Sequence, residues 1–86
     1  MTQQELYDAA HRQPFEPFRL VLTTGAAFDI RHPDLILVGR RSAVIGITKD
    51  TQGTVYDRTF TVDLLQVVGI EQLPTPPSSG NGPPQP

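Results

Sequence analysis

The sequence predicts a mainly β protein: a small antiparallel barrel or sandwich of five to six strands, opened by one helix and closed by a polar tail. Three observations carry this. Apolar and polar residues alternate with a period of two in short segments that recur about every ten residues. A helix start signal stands at the N-terminus, ahead of the first alternating segment. And the composition breaks at Pro74. From Pro74 onward there is no apolar side chain of the Ala, Val, Ile, Leu, Met, Phe, Trp or Tyr kind and no charge, and six of the nine prolines fall there. Residues 1–73 therefore read as one small domain. Residues 74–86 read as a disordered, partly polyproline II tail that is dispensable for folding, because they have nothing to bury.

The helix comes first. Thr2 followed by Glu5 fits a capping box, in which the hydroxyl accepts from the third helical N–H and the carboxylate reaches back. Leu6, Ala9 and Ala10 form the apolar stripe, with Tyr7 at its border. Pro14 ends the helix near Gln13, after about three turns. Arg12 is expected near the negative end of its dipole.

From Pro17 the period changes. Phe18, Leu20 and Leu22 alternate with Arg19, Val21 and Thr23, and Ala26, Phe28 and Ile30 alternate with Ala27, Asp29 and Arg31. Thr23-Thr24-Gly25 reads as a three-residue hairpin loop with glycine in the left-handed position. That loop fixes a register: Leu22 against Ala26, Leu20 against Phe28, Phe18 against Ile30, all facing the core, with Arg19 opposite Asp29 outside. His32-Pro33-Asp34 punctuates as a turn. Leu35-Ile36-Leu37-Val38 is apolar on both faces and is expected to be covered twice. Ala43 to Thr48 makes a fourth strand and Lys49 to Gly53 a polar loop. Thr54 to Val62 makes a fifth strand with Tyr56, Phe60 and Val62 on one inward face. Asp63-Leu64-Leu65-Gln66 is a single tight turn, and Val67 to Leu73 closes the domain.

Composition excludes several classes. One domain of 86 residues is no multidomain enzyme. No apolar run approaches the roughly 20 residues of a transmembrane helix. The absence of cysteine excludes a disulfide scaffold and a thiolate metal site. The N-terminus carries neither a signal peptide nor a lipidation motif, so a soluble cytoplasmic protein is expected. A net charge of −2 names no partner.

Few residues carry chemistry. His32 with Asp34 has the residue types of a general base or metal ligand, but a strand-end turn accounts for the same cluster. His11 is too isolated to complete a metal site. There is no phosphate-binding glycine loop and no nucleophile elbow. No catalytic residue, metal or cofactor is expected. Arg40 and Arg41, with Arg31, Arg19 and Arg58 on neighbouring strands, are the only basic concentration. Of these, Arg31, Arg40 and Arg41 are the candidates for contact with nucleic acid or an acidic partner. Asp29, Asp34 and Asp57 interleave with them, which favours a self-paired surface over phosphate binding. Leu35, Ile36 and Val38 are the candidates for self-association, because the helix is a thin cover for that run.

Pro17 to Gly25, read as a first strand and glycine turn, and Thr61 to Ile70, read as strand, tight turn and closing strand, resemble the small SH3-like barrels, and among them the Sm-like fold of the bacterial Hfq RNA chaperones. The resemblance spans roughly residues 2–74 and consists of apolar positions. It implies the barrel. It does not carry over RNA binding: Hfq proteins have a Lys-His pair in the tight turn, and Asp63 and Leu64 stand nearest to it here. An aspartate there repels phosphate. Pro17-Phe18-Arg19, Thr24-Gly25 and His32-Pro33-Asp34 also resemble short bacterial proteins with a P-F-R, D-G and H-P-E/D pattern, although threonine replaces the aspartate of the second segment. The function expected from all this is a non-catalytic interaction or accessory module. It would bind itself or another protein rather than a membrane. An Sm-like nucleic-acid binder is the alternative.

Overall fold

The computed structural model describes residues 1–49 and 53–74. The tail from Thr75 and the middle of the Lys49–Gly53 loop lie outside the described residues. A helix, α1 (Gln3–Ala10), is followed by six strands: β1 (Phe18–Leu22), β2 (Ala27–Ile30), β3 (Ile36–Val38), β4 (Ser42–Ile47), β5 (Arg58–Asp63) and β6 (Val67–Gln72). They form two antiparallel three-stranded sheets, ordered β2-β1-β6 and β3-β4-β5. Two 3-10 turns make corners, Pro33–Leu35 before β3 and Leu64–Gln66 before β6.

The capping box is present: the Thr2 hydroxyl accepts from the Glu5 backbone N–H, and the Glu5 carboxylate accepts from the Thr2 N–H. The helix is shorter than its sequence signal. It ends at His11, whose N–H donates to the Tyr7 carbonyl while its ring nitrogen meets the same oxygen. Gln13, next to Pro14, is disfavoured in the α region, and the strain of entering that dipeptide is avoided by leaving the helix a turn early. Arg12 consequently pairs with Glu16 at 2.9 Å rather than serving the helix end.

The first hairpin has the expected register. Phe18 pairs with Ile30, Arg19 with Asp29 and Leu20 with Phe28. The Leu22 N–H donates to the Ala26 carbonyl, and Gly25 takes φ of 90°, the left-handed value that glycine enters without penalty. Ala26, expected inside, is exposed beside the loop. On the other side β1 pairs with β6, with a bulge that leaves Val68 unpaired and exposed. The Asp63 carboxylate accepts from the Leu65 N–H and so caps the tight turn.

The core lies between the sheets. Phe18, Leu20 and Ile30 from one sheet meet Ile36, Ala43, Ile45 and Val62 from the other, and Leu6, Ala9 and Ala10 of α1 close one end, where the helix packs on β3. Two expectations about this core are corrected. The run Leu35–Val38 is covered on one face only. Leu35 and Ile36 are buried in the chain's own core and Val38 is half-buried, because the 3-10 turn and α1 cover them. Leu37, 70% exposed, is the member left outside. Nor do the aromatics of the fifth segment face inward together. Phe60 shares a face with buried Val62 but is 45% exposed, since the sheets part before reaching it. Tyr56 precedes the ladder, which begins at Arg58, and instead covers Gly46, where an added Cβ would sit 3.0 Å from the Tyr56 Cβ.

Candidate functional site

Strand pairing leaves a gap between the two sheets. β2 pairs only with β1, and β3 reaches β4 no further than Ile45, which lies opposite Ile36. Beyond that point β2 and the last residues of β4 face each other across a cleft of about 530 Å³. Its floor is apolar, from Phe28, Leu35, Ile45 and Ile47. Phe28 also packs against Phe60, the rings tilted by 31° with centroids 5.0 Å apart, tying β2 to β5.

The rim is charged. Arg19 Nε lies 2.7 Å from Asp29 Oδ1, and Arg31 Nη2 lies 3.3 Å from Asp29 Oδ2. Glu71 stands 3.8 Å from the far side of Arg19. The hydrogen bond from Arg19 holds the Asp29 carboxyl below its usual range, with the charges of Arg19 and Arg31 adding to it against partial desolvation. The same bond raises the Arg19 guanidinium above its ordinary value.

A second cleft, of about 420 Å³, lies at the tight turns. Arg40 and Arg41 form a two-residue loop closed by the Gly39 N–H donating to the Ser42 carbonyl at 2.8 Å. The Arg41 carbonyl accepts from the Leu64 N–H, which ties this loop to the corner before β6. Asp63 and the exposed Leu65 share the cleft with both arginines.

The basic candidates are thus divided. Arg31 lines the first cleft, Arg40 and Arg41 the second, and Arg19 and Arg31 share one carboxylate. Arg58 begins β5 opposite Ile47. The three candidates for contact with nucleic acid or an acidic partner are not brought together: the hairpin loop that carries Arg40 and Arg41 and the rim that carries Arg31 border different clefts. His32 serves as the extended residue before the 3-10 turn, its carbonyl accepting from the Leu35 N–H, and Pro33 starts that turn. Among the described residues no group of three or more His, Asp or Glu side chains stands together as metal ligands would. No helix among them is long and apolar enough to cross a membrane.

Sequence reasoning missed the surface that the strand pairing creates on the outside of the β3-β4-β5 sheet. Leu37, Val44 and Thr61 lie directly opposite one another there, and Gly46 pairs with Thr59 beside them. Between its ends this face carries no charge. The signal was available: Leu37 alternates with Ile36 and Val38, so one of the two sets had to point out. Comparison with protein-family models, with curated proteins and with solved structures finds no match to this chain.

Proposed function

We infer that the chain is a non-catalytic interaction module of the cytoplasm that associates with itself through the outer face of the β3-β4-β5 sheet. The observation that supports this reading is the uncharged row Leu37, Val44 and Thr61, with exposed Tyr56 over Gly46 at its margin. Contiguous apolar surface on so small a domain marks a contact surface. A sheet face is self-complementary across a two-fold axis, which is the commonest way identical subunits meet. The two sheets are read here as halves of one SH3-like barrel. The strand sequence β6-β1-β2, the 3-10 corner at Pro33–Leu35, then β3-β4-β5 is the order such a barrel requires.

An Sm-like nucleic-acid role has less to support it. Phosphate binding draws on several cations acting together, and here Arg31 is apart from Arg40 and Arg41, with Asp63 in their cleft. Light scattering at micromolar concentration tests the proposal. The chain should have at least twice the single-chain mass, and Leu37→Lys should return it to the single-chain mass with the fold intact by circular dichroism. A wild-type chain that is monomeric throughout overturns it.

A further inference from the structure

The backbone that walls the first cleft has directions that the pairing pattern fixes. In an antiparallel ladder, residues alternate between pairs that exchange hydrogen bonds and pairs whose N–H and C=O point away. The Leu22 N–H bonds the Ala26 carbonyl, so the Leu20–Phe28 and Phe18–Ile30 pairs are the bonded ones. The backbone groups of Ala27 and Asp29 therefore point away from β1 and towards the cleft. The same argument applies across it. The Gly39 N–H bonds the Ser42 carbonyl, which makes Leu37–Val44 a bonded pair and turns Gly46 to the same side as Val44. Gly46 lies one residue beyond the last β3 partner, so its backbone also faces the cleft. Both walls are thus strand edges with open backbone groups, and the floor between them is apolar.

We propose that this cleft is a strand-addition slot that takes an extended segment of a partner protein, with apolar residues at alternate positions and a carboxylate beside Arg31. The backbone of such a segment bonds to Ala27 and Asp29, while every second side chain drops onto Phe28, Leu35 and Ile45. Strand addition of this kind draws affinity from main-chain bonds and selectivity from the alternate pockets. The rim sets the charge. Arg31 makes a single contact, at 3.3 Å, to an Asp29 oxygen that Arg19 Nη2 also approaches at 3.4 Å. Most of its five donors are open to an incoming carboxylate, which a guanidinium can hold with two parallel bonds.

This slot is separate from the proposed self-association face, so the two can fail independently. The test is selection of short random peptides displayed on phage against the full chain, followed by binding of the selected peptide measured by fluorescence anisotropy. The expected consensus alternates apolar residues and includes Asp or Glu. Arg31→Glu should weaken that peptide about tenfold or more, as loss of a charge-assisted pair does, without changing the chain's mass in light scattering. Methylating alternate backbone nitrogens of the peptide should abolish binding, and amide exchange at Ala27 and Asp29 should slow in the complex. A basic or proline-rich consensus, no enrichment over the Arg31→Glu chain, or binding indifferent to backbone methylation overturns the proposal. So does loss of the oligomer in Arg31→Glu, which would give the slot to a second copy of the chain.

Discussion

The two sheets share one core and present opposite exteriors. On the β2-β1-β6 sheet, the outward positions include Arg19, Asp29 and Glu71, joined across three strands in a line of ion pairs. On the β3-β4-β5 sheet, the outward positions are Leu37, Ser42, Val44, Gly46, Thr59 and Thr61, with one charge, Asp63, at the end beside Ser42. The inward faces do not differ in kind. An exterior laced with paired charges resists being buried, because each pair must be desolvated with little return. An exterior of Leu, Val and Thr meets no such cost. Of two sheets built by the same alternation, only one is suited to be covered.

The largest effects should fall inside, where the sheets are alike. Leu20 and Ile45 are both almost fully buried, one from each sheet. Leu20→Ala and Ile45→Ala should each cost about 2–5 kcal/mol, from lost transfer energy and the cavity left behind. Urea unfolding measures both. If either change costs under about 1 kcal/mol, that sheet does not contribute to a common core, and the comparison loses its premise.

Next in size is the effect on assembly. Thr61→Lys, on the uncharged face, should separate subunits as Leu37→Lys does, since it places a charge in the contact. Ala27→Lys, on the charged sheet and exposed, should leave the mass unchanged. A change of mass with Ala27→Lys and none with Thr61→Lys would move the contact to the other sheet.

The inward architecture was largely legible in the sequence, and the reason is local. The loop Thr23-Thr24-Gly25 and the alternation on either side of it set the register of β1 and β2 without any long-range information. Asp63 ahead of Leu65 marked its turn equally well. What was not legible depended on distance through the fold. Alternation in residues 54–62 assigns each residue a face but not how far the core or the ladder extends, so Phe60, expected inside, stands at the core's edge, and Tyr56, which precedes the ladder, lies over Gly46 on the outer face. The burial of Leu35 and Ile36 required knowing that α1 docks on β3. The cleft between β2 and β4 follows from a pairing that stops at Ile45, which no motif announces.

Two outward glycines sharpen the contrast at smaller scale. Gly46 lies under Tyr56, and an added Cβ would come within 3.0 Å of the Tyr56 Cβ. Gly46→Ala should therefore destabilise by about 1–3 kcal/mol, the usual range for overpacking. Gly69, on the charged sheet, has nothing within 4 Å of such a Cβ. Gly69→Ala should be neutral or should stabilise by about 0.4–1 kcal/mol, by reducing the freedom of the unfolded chain. Thermal melts of the two variants give the signs. Equal effects would mean that Tyr56 does not hold its place over β4.

The smallest effect belongs to the ion pairs, and its sign is fixed. The hydrogen bond from Arg19 lowers the Asp29 pKa in the folded chain, with the charges of Arg19 and Arg31 acting in the same direction. A carboxyl with a depressed folded pKa contributes stability that is fully present above its unfolded pKa and is lost as pH falls through the folded one. Glu5 behaves alike, lowered first by the backbone bond from Thr2. Stability should therefore decline with acid below the ordinary carboxylate range. Arg19→Gln should bring the Asp29 pKa back towards its usual value, read by the carboxyl carbon shift in an NMR titration, and leave Glu5 where it is. The effect should also shrink in high salt, since the partners are partly exposed and screened. An Asp29 titration that ignores both Arg19→Gln and salt would mean that the line of charges is not formed in solution. The β2-β1-β6 exterior would then have lost the feature that sets it apart from the other sheet.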